Sequence, residues 1–410
     1  MARVQPFRAM RPRPSDAARI AAVPYDVVST DEARALAGDN PLSFLRVSRP
    51  ELELPPGTDP SSPIVYRRAR QNFEKLKASS LVIEDEPSVY VYRLRMGDHR
   101  QTGIAACYSL DEYDRGLIKK HEHTRRDKED DRTRHMIALG AQTGPVLLAY
   151  RRSREVDRIA ERVVTGEALF DFEAPDAVRH AVWRVGGADR DALVAAFGRI
   201  PALYIADGHH RAASAARART EMRERGATGT SLGDGADGST FLAVAFPHDQ
   251  VQILPYNRIV KDLDGLAPDA FLRVVADRFE VEAGSPAPAR RGEFAMYLKG
   301  RWHTLRPRIQ PDASDATGSL DVNVLQDQLL APVLKIADPA TDTRIDFVGG
   351  ARGTSELEKR VDSGNAAVAF SMYPVSMADL MAVADAGGIM PPKSTWFEPK
   401  LRDGLLIHMI

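Results

Sequence analysis

The chain predicts a mixed α/β protein, α+β in its local mixture and built on a mixed sheet. Three observations lead there. Short β-rich runs alternate with helix-forming runs along most of the 410 residues. Two of the runs, "VYVYRLRM" (89–96) and "QTGIAACYSL" (101–110), are joined by "GDH" and read as a hairpin. Hairpins beside crossover helices require both antiparallel and parallel pairs in the sheet. Hydrophobic residues make up 43% of the chain and charged residues 28%, which is enough to bury a core.

In order, "TGPVLLAYR" (143–151) reads as a buried strand and "EVDRIAERVV" (155–164) as a helix. "ALFDFEA" and "RHAVWRVG" alternate as strands do, and "DRDALVAAFGRI" (189–200) is a helix. "ALYIAD" is an apolar strand, and "RAASAARARTEMRERG" is a strong helix former ending at Gly226. "STFLAVAFP" and "VQILPYNRIV" are strands. A helix ("APDAFLRVVADRF") and a strand pair ("EFAMYLKGRWHTLRP") follow. Three stretches rich in Pro, Gly and Ser, at 53–63, 226–240 and 283–292, read as loops. The domains expected are 1–247 and 248–410.

Charge narrows the function classes. Lys and Arg (56) nearly balance Asp and Glu (57), so no global field draws the chain to nucleic acid or an anionic membrane. The single cysteine, Cys107, rules out an intramolecular disulfide and fits a reducing compartment. The basic start has no apolar signal region, and no run approaches the ~20 apolar residues of a membrane span. A cytoplasmic protein is the expectation.

Chemistry concentrates in four stretches. In "YIADGHHRAASA" (204–215) a strand ends at Asp207, Gly208 permits a tight turn, and a helix opens at about His209–Arg211. Unpaired amides and a partial positive charge make such a helix start an anion site. His209 and His210 add donors, and Arg211 can grip a phosphate directly with two hydrogen bonds. "HEHTRRDKEDDRTRHM" (121–136) opens with His121, Glu122 and His123, an odd prelude to a solvated helix. The two histidines would share one face of a strand, but no partner ligand has diagnostic spacing, so no metal site is assigned. Lys128 and Arg132 lie four apart on one helix face and form a second candidate phosphate grip. "GGIMPPKSTWFEPKLRDGLL" (387–406) presents Lys393 in an ordered loop without the glycines of a Walker A motif. "VPYDVVST" (23–30) places Asp26 after a Pro-Tyr pair.

Six stretches, "PYDVVS", "NPLSFLRV", "HEHT…K…DR", "DGHHR", "ILPYNRIV" and "MPPKSTWFEPKL…GL", occur in this order across nearly the whole chain. Together they resemble the bacterial and archaeal domain-of-unknown-function family ten-fifteen. More locally, "ADGHHRAASA" is similar to the Gly-x-x-Arg-x-x-Ala box of the ParB/sulfiredoxin superfamily, running here from Gly208 to Ser214, with Ser214 where the box has alanine. In that superfamily the box lies at a helix start and binds nucleotide phosphates. Its members include chromosome-partition proteins, sulfiredoxins and free-serine kinases, and the kinases carry a very similar Asp-Gly-His-His-Arg-like stretch. The resemblance therefore implies a ParB/sulfiredoxin-like nucleotide- or phosphate-binding core, with a C-terminal α/β region packing back on it.

The function expected is phosphoryl transfer on a small metabolite, with serine or phosphoserine implied by the resemblance. Gly208, His209, His210 and Arg211 would hold the phosphate, with Lys128, Arg132 and Lys393 as further cations. Glu122, Asp207 or Asp26 would orient or deprotonate the attacking hydroxyl or water. Magnesium and ATP or ADP are the cofactors expected. The alternative is a ParB-like nucleotide-binding switch that contacts DNA. It lacks a helix-turn-helix and a basic stripe, so nucleic acid is not the partner expected. A sulfiredoxin-like reductase would need Cys107 as nucleophile, and Cys107 lies in an apolar strand far from the phosphate box.

Overall fold

The computed structural model describes residues 2–224 and 238–410. The chain divides into two compact units. The first takes residues 1–120, 124–251 and 399–410; the second takes 121–123 and 252–398. The last residues of the chain thus return to the first unit. They are held there by paired backbone bonds between Met10 and Ile407 (2.9 and 3.0 Å) and between Ala22 and Asp403 (2.9 and 3.2 Å).

The first unit is built on a nine-stranded sheet. Its strands are β1 (Val4–Gln5), β2 (Val89–Met96), β3 (His99–Ser109), β4 (Ile118–Lys119), β5 (Val146–Tyr150), β6 (Phe170–Glu173), β7 (Val178–Val185), β8 (Leu203–Asp207) and β9 (Thr240–Pro247). Their spatial order is β4-β8-β5-β9-β3-β2-β7-β6, with β1 on β3. β8 runs parallel to β4 and β9 parallel to β5, and the other pairs are antiparallel. The mixed sheet predicted from the hairpin is therefore present, and β2 and β3 are that hairpin, paired from Tyr90↔Ala105 to Met96↔His99. β9 is buried along its whole length. Such a strand reads as an unbroken apolar run because both of its faces are covered.

Three helices matter for the site: α1 (Pro63–Ser79), α2 (Arg126–Leu139) and α3 (His209–Glu224). The helix end expected at Gly226 and most of the loop 226–240 lie outside the described residues.

The second unit carries an antiparallel six-stranded sheet. Its strands are β10 (Tyr256–Val260), β11 (Phe279–Ala283), β12 (Phe294–Leu298), β13 (Arg301–Pro307), β14 (Ile345–Gly349) and β15 (Val368–Met372), in the order β11-β13-β12-β15-β10-β14. The stretch "VQILPYNRIV" is not one strand. It breaks at Pro255 into Gln252–Leu254, which pairs with Trp396–Glu398, and β10, which joins the larger sheet. Proline has no N–H to give a ladder, so the chain changes sheets there.

Among the described residues no helix is long and apolar enough to cross a membrane. Cys107 sits in β3, 1% exposed, between small and aromatic neighbours. Its thiol should resist labelling in the native protein and react fully in denaturant, and Cys107→Ala should cost about 1 kcal/mol. Rapid labelling of the native protein would contradict this burial.

Candidate functional site

The site grows from the junction of β8 and α3. Asp207 ends the strand, Gly208 takes φ +93°, and the helix begins at His209. The first bond of this turn is Ala212 N–H to Gly208 O (3.1 Å), which leaves the amides just before it outside the helix ladder. The glycine has a second use. A Cβ at 208 would lie 3.1 Å from Cζ and Nε of Arg211, so a side chain there would crowd the guanidinium folded beneath the turn as well as strain the backbone.

Arg211 is 5% exposed. It donates through Nη1 to Pro145 O and through Nη2 to Asp207 Oδ2 (3.4 Å), and Asp26 Oδ2 lies 4.0 Å from Nη2. Burial acts to lower its pKa, but the carboxylates of Asp26, Asp207 and Asp403 outweigh that and raise it. Asp207 is half-buried. Desolvation would raise it, yet Lys400 (Nζ to Oδ2, 3.4 Å) and Arg211 hold its carboxyl down to about 2.

Asp26 stands in the loop after Pro24, partly open to solvent. Arg49 fixes that loop, donating to Tyr25 O (2.8 Å), Val28 O (2.7 Å) and Thr30 Oγ1 (2.8 Å). The Tyr25 ring lies 4.1 Å from the guanidinium carbon of Arg132. Arg132, on α2, is 9% exposed and bonds Asp131 (Nε to Oδ2, 2.8 Å) and Ser48 O (3.3 Å). His135, one turn on, meets Val47 O (2.9 Å), and burial with Arg132 nearby pushes its pKa down to about 4.

Asp403 and Lys400 join the cluster although neither stands out in the sequence. Asp403 is 3% exposed, and its Oδ1 has no hydrogen-bond partner. A Cβ on Gly144 would collide with that oxygen. With Tyr25, Ser48, Arg132, His135 and Arg211, Asp403 lines a cavity of about 20 Å³, room for roughly one water. Desolvation raises its carboxyl to about 7, opposed by Arg211 and reinforced by Asp26. With Asp403 neutral, the carboxylates of Asp26, Asp131 and Asp207 face the cations Arg132, Arg211 and Lys400, so the cluster is balanced. One sequence signal marked this position: "RDG" at 402–404 repeats the Asp-Gly step of 207–208, and Gly404 also has positive φ, +83°.

The remaining candidates are placed differently. His209 is buried, while His210 is half-buried and its Nε2 accepts from Arg125 N–H (3.0 Å). Burial lowers the His210 pKa, with Lys128 and Arg125 adding to that and Asp26 and Glu129 opposing it. Lys128 is exposed on α2, whereas Arg132, on the same helix, is buried. Residues 121–123 form no strand, and they belong to the second unit, as does Lys393. There His121 is buried, Glu122 half-buried and Lys393 exposed. The structure thus gathers Asp26, Arg132, Asp207, Gly208 and Arg211 in the first unit; Glu122 and Lys393 belong to the other.

This is a mixed α/β protein whose strand-to-helix turn stands on a buried arginine–carboxylate cluster. The chain belongs to the family described as "Protein of unknown function (DUF1015)", whose profile matches residues 4–323. A comparison with curated proteins finds no match. Among solved structures, a conserved hypothetical protein from Pyrococcus furiosus is 16% identical with a TM-score of 0.35, covering 75% of this chain and 95% of that one. A free serine kinase in complex with AMP is 15% identical with a TM-score of 0.34, covering 74% and 92%. SbnI with C-terminal truncation from Staphylococcus aureus is 13% identical with a TM-score of 0.39, covering 74% and 87%. Likeness this distant carries no function, so function is argued from the site.

The buried carboxyl gives a signed pH dependence. Asp403 titrates near 7 when folded and near ~3.9 when unfolded. Between those values the folded state binds the extra proton, so stability falls as pH rises and levels off above the folded pKa. Asp403→Asn should remove that slope. Its stability relative to wild type should rise by about 2–4 kcal/mol from pH 4 to pH 8, read by urea melts across pH. A constant difference would show that Asp403 does not carry the proton.

Proposed function

We propose that the first unit is a phosphoryl-transfer site for a small metabolite, with serine or phosphoserine as substrate and ADP or ATP as the nucleotide. The observation that supports this reading is the helix start at Gly208–Arg211, seated on a buried cation and faced by the open carboxylate of Asp26. Phosphoryl transfer asks a protein mainly for positioning and charge neutralisation. The amides of Gly208 to Arg211 offer donors to phosphate oxygens. Arg211 supports them from beneath, and binding a phosphate directly would mean loosening its bond to Asp207. Lys128, exposed on α2, adds a mobile cation.

Asp26 is the group best placed to orient or deprotonate a substrate hydroxyl, because it lies 4.0 Å from Arg211, beyond a hydrogen bond, and is open to solvent, whereas Asp207, nearly as exposed, is held at 3.4 Å by both Arg211 and Lys400. Asp207 is committed to Arg211 and Lys400 and acts as a positioning residue. Magnesium would find the partly exposed carboxylates of Asp26 and Asp207 in this cluster, the second already held by Arg211 and Lys400. The nucleotide supplies the phosphoryl group; the chain supplies the cradle, the counter-charge and the base.

Phosphoserine formation from serine with ADP or ATP, and phosphate release from phosphoserine, test the reading directly. Asp26→Asn should fold normally and lose at least about 100-fold in turnover. Arg211→Ala should weaken nucleotide binding about 10- to 150-fold and also lower stability by about 3–5 kcal/mol, because it strands buried carboxylates. Absence of turnover with both substrates, or an Asp26→Asn variant as active as wild type, would remove the assignment.

A further inference from the structure

We propose that the second unit carries an anion-binding loop of its own, Pro391–Thr395, in which Lys393, built over the buried Arg258, recognises a small oxyanion such as a carboxylate or phosphate group. The inference stands apart from the site in the first unit and uses none of its residues.

Arg258 lies in the middle of β10 and is 4% exposed. Its acceptors are backbone carbonyls, Tyr256 O and Lys393 O (3.3 Å), and its guanidinium carbon is 5.5 Å from the centre of the Phe347 ring. Among the described residues no carboxylate pairs with it. Two carbonyl dipoles accept from it but leave its charge unmatched, and buried charges are ordinarily paired. Burial accordingly draws its pKa down to about 10. By contrast, Arg211 in the first unit is ringed by acids.

The loop above it adds a second positive charge. Lys393 has φ +60°, a left-handed conformation uncommon for a residue with a side chain. In that conformation its carbonyl meets Arg258 while its ammonium stays exposed, 5.6 Å from the centre of the Tyr256 ring. Ser394 Oγ closes the turn on Pro391 O (2.7 Å). Met390 N–H bonds His121 O (2.8 Å), which ties the loop to residues 121–123. Backbone strain of this kind persists only where the surroundings hold it in place. Here it is held by the one group that needs a counter-charge. A cation on a fixed loop above a buried cation of β10, with no acid paired to either among the described residues, forms a receptor for an oxyanion.

Trp396, whose ring centre lies 5.3 Å from that of Tyr256, gives a local reporter. Phosphate, acetate or chloride is titrated into the full-length chain at constant ionic strength while tryptophan fluorescence is followed, with Trp396→Phe as the control that removes the local signal. Phosphate, acetate or both should give a saturable change that chloride does not, and the active anion identifies the ligand group. Lys393→Ala should raise the dissociation constant about 10-fold, and Lys393→Arg should restore it. Lys393 is exposed, so neither variant threatens the fold. An unchanged dissociation constant in Lys393→Ala, or the same response to chloride, would overturn the proposal and leave Arg258 as a structural tie.

Discussion

The first unit depends on the burial of one guanidinium among carboxylates. Arg211 has almost no access to water, and its nearest acids are Asp207, four residues before it at the end of β8, and Asp26, brought from the N-terminal loop. Taking such a charge out of water costs several kcal/mol, and only well-placed partners offset that cost. Much of the local architecture meets this requirement. Gly208 leaves space for the guanidinium, Arg49 pins the loop carrying Asp26, and Asp403, clamped to Ala22, adds a further acid. Lys400 then balances Asp207. The return of residues 399–410 to the first unit is part of the same arrangement, because it brings Lys400 and Asp403 to the cluster.

A cluster of this kind can serve a phosphate site without holding the phosphate itself. A fixed positive charge under a helix start strengthens the field at its opening amides and costs no side-chain ordering when a ligand arrives. The second unit uses a different arrangement. Arg258 is buried against carbonyls, so its charge is not cancelled locally. One buried arginine is a balanced support; the other remains an attraction for an anion.

Much of the fold was legible in the sequence because its elements have clean periods. The β2–β3 hairpin, the apolar strand β8 and the alanine-rich α3 all follow from residue types a few positions apart. "VQILPYNRIV" misled because its apolar pattern is continuous, while Pro255 divides it between two sheets. At the site, Asp26, Arg132, Asp207 and Arg211 stood out by local composition. What sequence could not tell is whether a charged residue faces water. Arg132 and Lys128 share a helix, yet one is buried and the other exposed. Asp403 was hidden for the same reason: an Asp-Gly step looks like a surface turn unless the chain that covers it is known.

The proposed phosphoryl-transfer site requires phosphate oxygens to sit on the amides that open α3. Backbone amide resonances of the deuterated, ¹⁵N-labelled chain, followed while ADP is added at constant ionic strength, address it directly. Saturable shifts at Gly208, His209 and His210, larger than those elsewhere in the first unit, are the predicted result. Saturable binding that leaves those amides unmoved, or no binding at all, would contradict it.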